Sequence, residues 1–128
     1  SDNRTDKRTV SPSYSIAVCV FCASSDTIAE RYIRAASELG KAMASRGMTL
    51  IYGGGNNGLM GYLSSSMSLH KPREGRIVGV ITRDLKDSGY AFEGADEMIV
   101  TESMRERKAV MEINAHGFIG LPGGFGTL

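Results

Sequence analysis

Two glycine-rich turns and one arginine hold the residue types in this chain that could do chemistry. Gly117 and the apolar or small residues Phe118, Ile119, Gly120 and Leu121 read as a buried parallel strand. That strand empties into Pro122, Gly123, Gly124, Phe125, Gly126 and Thr127. A strand ending in such a turn exposes a row of backbone N–H groups, and a following helix adds the positive end of its dipole. Glycine suits the turn because a Cβ would hold an anion away from the backbone. The Thr127 hydroxyl supplies one more donor, and the chemistry implied is phosphate binding.

A second turn, Gly53-Gly54-Gly55-Asn56-Asn57-Gly58, follows the apolar run at 48–52. Its spacing is G-x-G-x-x-G, but it stands after the second strand, whereas the dinucleotide fingerprint belongs after the first. The first strand leads instead into Cys22-Ala23-Ser24-Ser25, which has no glycine, and this disfavours a nicotinamide oxidoreductase. Taken alone, the Gly53 turn could be a tight connection with no ligand. Two glycine-rich turns at one sheet edge suggest a site for the phosphates of a compact ligand.

The arginine is Arg107. At 100° per residue, Arg105, Lys108 and Glu112 share a narrow polar face of the helix at 102–115, while Arg107 and Asn114 fall among Met104, Val110 and Met111. A guanidinium in an apolar arc keeps its charge and so calls for an anion beside it. That anion is either an internal carboxylate, such as Glu106, or a substrate or catalytic carboxylate at the site.

Other candidates carry less. Cys19 and Cys22 have C-x-x-C spacing, yet Cys19 lies inside a strand and no second ligand pair exists, so both read as structural. His70 and His116 are not placed as a ligand pair and also read as structural. No metal or organic cofactor is called for.

Elements must position these residues. Residues 1–14 are polar and without periodicity, which predicts a flexible tail. Strands are expected at 15–21, 48–52, 76–81, 97–101 and 117–121. Helices are expected at about 27–46 (N-cap Ser25 or Asp26, stripe Tyr32, Ala36, Leu39, Met43, end at Gly47), at 59–69 and at 102–115. Gly61 and Ser64-Ser65-Ser66 make the second helix intrinsically weak and suggest close packing. Residues 82–94 read as irregular. Strands alternating with helices predict an α/β, Rossmann-like doubly wound parallel sheet over 15–128, with its ligand outside the carboxyl ends of the strands.

Three ordered motifs then carry a resemblance: Gly53 through Gly61, Met104-Arg105-Glu106-Arg107-Lys108, and Pro122 through Thr127. Together they look like the LOG ("Lonely Guy") family of cytokinin riboside 5′-monophosphate phosphoribohydrolases, often described as lysine decarboxylase-like. The resemblance implies a homodimer that cleaves the N-glycosidic bond of adenosine 5′-monophosphate or its N6-prenylated form. It implies Arg107 as the catalytic arginine, Lys108 beside it, and Gly123, Gly124, Phe125, Gly126 and Thr127 as the phosphate- and ribose-binding turn, with Gly53 and Gly54 also at the substrate. Asp84 stands where the family usually has a substrate-contacting glutamate, and Arg105 where a histidine is common. The family's P-G-G-x-G-T-x-x-E motif ends in a catalytic glutamate that would fall beyond Leu128. The domain is accordingly expected to be C-terminally truncated, less stable than the whole and inactive by itself. A non-catalytic nucleotide or molybdenum-cofactor carrier of the same fold is the alternative.

Bulk properties agree with a small-molecule site. The net charge of +1 gives no electrostatic case for nucleic acid or a membrane surface. No apolar run approaches a membrane span, and cytoplasmic residence is the default expectation.

Overall fold

The computed structural model describes residues 15–22, 29–70 and 75–121. Five short strands, β1 (Ala17–Phe21), β2 (Thr49–Tyr52), β3 (Arg76–Thr82), β4 (Glu97–Thr101) and β5 (Gly117–Gly120), pair in parallel in the order β4-β3-β2-β1-β5. The helices are α1 (Glu30–Ser45), α2 (Gly58–His70), α3 (Arg83–Asp87) and α4 (Met104–Ile113). This is the expected Rossmann-like α/β architecture. The chain steps outward from β1 to β4 and then returns to the other side of β1, so the switch point lies between β1 and β5. Ligands of open α/β sheets bind at the carboxyl ends of the strands near such a reversal.

Each face of the sheet has its own core. Val20, Leu50, Tyr52 and Ile77 point to α1 and α2, while Cys19, Ile51, Val78 and Val80 point to Val110 and Met111 of α4. Alternation along each strand produces this division, because successive side chains leave a strand on opposite faces. The α1 stripe is rotated slightly from expectation: Ala36, Gly40, Met43 and Ala44 are buried, with Tyr32 and Leu39 half-buried at its margin. Gly47, with φ 65°, closes α1 as its position implied.

Most element ends shift by one or two residues from the sequence reading, and the larger differences have local reasons. α1 begins at Glu30 after Ala29, which makes no side-chain cap, while Ser25 and Asp26 lie outside the described residues. β3 runs one residue further, to Thr82. The stretch expected to be irregular holds α3, started by the Thr82 hydroxyl, which accepts from the Leu85 N–H. Five residues are too few to show helical periodicity. α4 is shorter than 102–115 because Ser103 caps it by accepting from the Glu106 N–H at 3.1 Å, and Glu106 turns back to accept from the Glu102 N–H at 2.9 Å. This reciprocal arrangement is a capping box in all but the exact acceptor position.

The cap sets where α4 starts and therefore where Arg107 stands, four residues later. Ser103→Ala should cost about 1 kcal/mol of stability, measured as a lower urea midpoint. An unchanged midpoint would mean that packing alone places the helix.

α2 owes its existence to tertiary contact, given its weak propensity. Leu59, Met60, Leu63, Ser64 and Met67 are buried, and the Ser66 hydroxyl donates to the Ser37 carbonyl of α1. Of the small residues, Ser66 reaches α1, whereas Ser64 donates back to the Met60 carbonyl and a Cβ at Gly61 would meet the Asn56 backbone. His116 stands at the far edge of the sheet, where its Nδ1 accepts the Ala17 N–H at 2.9 Å. Among the described residues no helix is long and apolar enough to cross a membrane.

Candidate active site

Strands β2 and β3 pair as far as Tyr52 and Gly79. One residue beyond that last pair, at Gly53 and Val80, Arg107 reaches across from α4. Its Nε donates to the Val80 carbonyl at 2.7 Å and its Nη2 to the Gly53 carbonyl at 2.6 Å. Its Nη1 faces the Met104 sulfur at 3.5 Å. The guanidinium joins the two strands just past the end of their mutual pairing, where these carbonyls have no partner across β2 and β3.

This corrects the expected partner of Arg107. Glu106 is engaged at the helix cap, and among the described residues no carboxylate pairs with Arg107. Neutral carbonyls hold the side chain in place without cancelling its charge. Burial pushes its pKa down from the ordinary arginine value, with the neighbouring Cys22 acting in the opposite direction. An arginine still stays protonated under ordinary conditions. Among the described residues Arg107 is thus a fixed, partly desolvated cation that no carboxylate neutralises.

Two cavities flank it. The larger, about 390 Å³, is lined by Val20, Phe21 and Cys22 from the end of β1, Met111 and Lys108 from α4, and by Arg107. The smaller, about 310 Å³, is lined by Asn57, Ile81, Leu85 and Tyr90. Gly53, Met60, Met104 and Arg107 border both. These volumes fit small-molecule sites, and the larger cavity, at the end of β1, has two cations and no acid among the described residues of its lining.

The Gly53 loop is held from two sides. The buried Tyr52 hydroxyl donates to the Gly55 carbonyl at 3.3 Å. From outside, the Asn56 N–H donates to the Tyr90 carbonyl at 3.0 Å and the Phe92 N–H to the Gly54 carbonyl at 2.9 Å, flanking an antiparallel bridge between Gly55 and Ala91. Part of the loop's hydrogen-bonding capacity is therefore used internally. At Gly53 the group turned to the site is a carbonyl that holds a cation. Gly54 is buried with φ 77°, packed against Gly79, Met98 and Ile81.

The other sequence candidates divide. Lys108 is exposed at the rim of the larger cavity. Asp84 is exposed in the first turn of α3, at the same sheet edge, and lines neither cavity. Gly123, Gly124, Phe125, Gly126 and Thr127 lie outside the described residues. The sequence named Met104 only as a neighbour of Arg107 and did not single out Met60, Tyr90 or the strap at 89–92 as lining a site. Met60 sits in the Gly58-Leu59-Met60-Gly61 motif and could have been noticed, but a two-residue antiparallel bridge leaves no periodic signal.

Cys19 and Cys22 are both free. Burial, aided by Glu112, pushes the Cys19 thiol up to about 12, and burial does the same for Cys22 despite the opposing pull of Arg107. Raised folded values favour the protonated thiol. Their contribution to stability is full below pH 9.0, the ordinary thiol value, and is lost as pH rises toward about 12. Native alkylation by iodoacetamide at pH about 8.5 should be at least roughly tenfold slower than in urea. Equal rates would show that the thiols are not shielded.

Known proteins resemble this chain in sequence and in fold. Residues 60–128 match the family described as "Possible lysine decarboxylase". The chain belongs to this family, the LOG family of the sequence resemblance. It is 47% identical over 111 residues to a cytokinin riboside 5′-monophosphate phosphoribohydrolase of Mycobacterium marinum, covering 87% of this chain and 57% of that protein. It is 43% identical over 111 residues to one from Arabidopsis thaliana, covering 87% of this chain and 47% of the other. The chain thus spans about half the length of the curated relatives it matches. Among solved structures, the molybdenum cofactor binding protein of Rippkaea orientalis superposes with a TM-score of 0.73 at 23% identity, covering 88% of this chain and 66% of that one. The molybdenum cofactor carrier protein of Chlamydomonas reinhardtii gives 0.72 at 23% identity, covering 88% and 66%. Identity at that level speaks to the fold alone.

Proposed function

We infer that the intact protein hydrolyses the N-glycosidic bond of adenosine 5′-monophosphate or its N6-substituted forms, releasing the free base and ribose 5-phosphate. The observation that carries this reading is Arg107, held between the Gly53 and Val80 carbonyls with no carboxylate among the described residues to neutralise it. Relatives at 41–47% identity that are named for this activity support it.

Cleavage of a ribosyl–base bond builds positive charge on the sugar, as in other glycoside cleavages. A carboxylate meets that charge and orients water; the resemblance puts this residue after Leu128. Arg107 fixes that carboxylate or the ribose hydroxyls. Lys108 and the turn from Gly123 to Thr127 grip the phosphate, whose remote binding energy positions the reacting centre. Asp84 completes the substrate contacts, and the Gly53-Gly54 turn serves them by holding Arg107 in place. The active form is a homodimer, in keeping with Met104 and Ile113 standing exposed on α4. Two unpaired cysteines suit a reducing cytoplasm.

Incubating the intact protein with adenosine 5′-monophosphate and with isopentenyladenosine 5′-monophosphate tests the reading. Chromatography should find free base and ribose 5-phosphate in equal amounts. Intact nucleotide after prolonged incubation would reject hydrolysis and leave a carrier.

A further inference from the structure

Gly53 has no conformational reason to be glycine. Among the described residues the positive-φ glycines are Gly47, Gly54, Gly58 and Gly89, and Gly53 is not one of them. Space gives the reason instead. A Cβ at position 53 would fall on Nη2 of Arg107, within 3.0 Å of its Cζ and 2.8 Å of the Met60 sulfur. The carbonyl of the same residue accepts from Nη2 at 2.6 Å. The guanidinium therefore lies in the volume that any side chain at 53 would occupy, and it is tied there by that residue's own backbone.

We propose that Gly53 is a positioning residue for Arg107: its missing side chain makes room for the guanidinium, and its carbonyl fixes Nη2. This rests on the hydrolase reading for its kinetic consequence, though the geometric claim stands apart from it. A glycine that served to let a phosphate approach the backbone would act on substrate binding independently of Arg107. A positioning glycine acts only through Arg107, so its effect must vanish once the guanidinium is gone.

Neighbouring positions supply a control. A Cβ at Gly55 would meet the end of Met60 at 2.7 Å and the Asn57 amide oxygen at 3.1 Å, with no atom of Arg107 among its near contacts. Gly55→Ala therefore disturbs the same methionine while sparing the arginine.

The test combines two readouts on the intact protein. In kinetics, Gly53→Ala should lower kcat by about 10²-fold with KM within about threefold. Added to Arg107→Ala, it should cost nothing further. Independent losses that multiply in the double variant, or a rise confined to KM, would overturn the proposal. The second readout needs no activity: phenylglyoxal labelling of Arg107, followed by peptide mass spectrometry. Labelling should be about tenfold faster in Gly53→Ala than in wild type or Gly55→Ala, because the guanidinium is displaced from its two carbonyls. Equal labelling would sink the geometric claim whatever the enzyme does, whereas faster labelling without base release in wild type would sink only the hydrolase reading. Should Gly53→Ala fail to fold, the double variant with Arg107→Ala must fold, since the remaining close contact is a flexible methionine end. Failure of both would overturn the proposal.

Discussion

Arg107→Ala should lower base release by about 10³-fold or more, the scale expected when a positioned charge-stabilising donor is removed. That is about 4 kcal/mol of transition-state stabilisation. The loss should fall mainly on kcat, because the phosphate grip that supplies ground-state binding lies with other groups. Arg107→Lys should recover little. A lysine ammonium is a compact point charge, and it cannot present a planar fork that donates to Val80 and Gly53 while keeping further donors for a ligand. Folding should survive, because the substitution strands two carbonyls but also relieves the burial of a charge. Measuring single-turnover base release beside a urea titration checks both parts. A turnover within tenfold of wild type would remove Arg107 from the chemistry.

How much of this was readable beforehand depends on the scale of the signal. Every strand and the three longer helices announce themselves through apolar runs, 3.6-residue spacing and a glycine such as Gly47, and the parallel order follows from their alternation. α3 escapes because five residues carry no period. The position of Arg107 among apolar neighbours is legible from helical geometry alone, and it does reach the site. Its partners are not. A sequence shows side-chain chemistry, and the expectation therefore sought an anion such as Glu106. The structure answers with main-chain carbonyls at Gly53 and Val80, whose availability arises only where β2 and β3 stop pairing. In the same way, a glycine run suggests exposed N–H groups, while the role of Gly53 depends on a neighbour 54 positions away. The resemblance to a known family suggests roles for residues, and the geometry shows only where Arg107 is held, between the Val80 and Gly53 carbonyls.

The largest stability effect should come from Gly40→Leu. Gly40 is fully within α1, where glycine is a poor helix former, so substitution by leucine should gain about 0.8 kcal/mol from propensity. Packing decides the sign. A Cβ at position 40 would stand 2.6 Å from the Leu63 carbonyl oxygen and 3.0 Å from the Met67 nitrogen, both backbone atoms of α2. Backbone in a helix cannot swing aside as a side-chain end can, so the two helices must separate and open the core around Met43, Leu63 and Met67. Overpacking of this kind costs about 3 kcal/mol, which leaves a net loss of roughly 2 kcal/mol after the propensity gain. Gly117→Ala on β5 is the counterpart: among the described residues nothing lies within 4 Å of its added Cβ, and its φ is not positive. That change should be neutral or stabilise by about 0.5 kcal/mol through a less flexible unfolded chain. Thermal unfolding should therefore separate the two variants by about 8 °C or more. If Gly40→Leu unfolds with Gly117→Ala, then α1 and α2 can slide apart at little cost, and the tight contact between them is not what keeps the weak helix α2 folded.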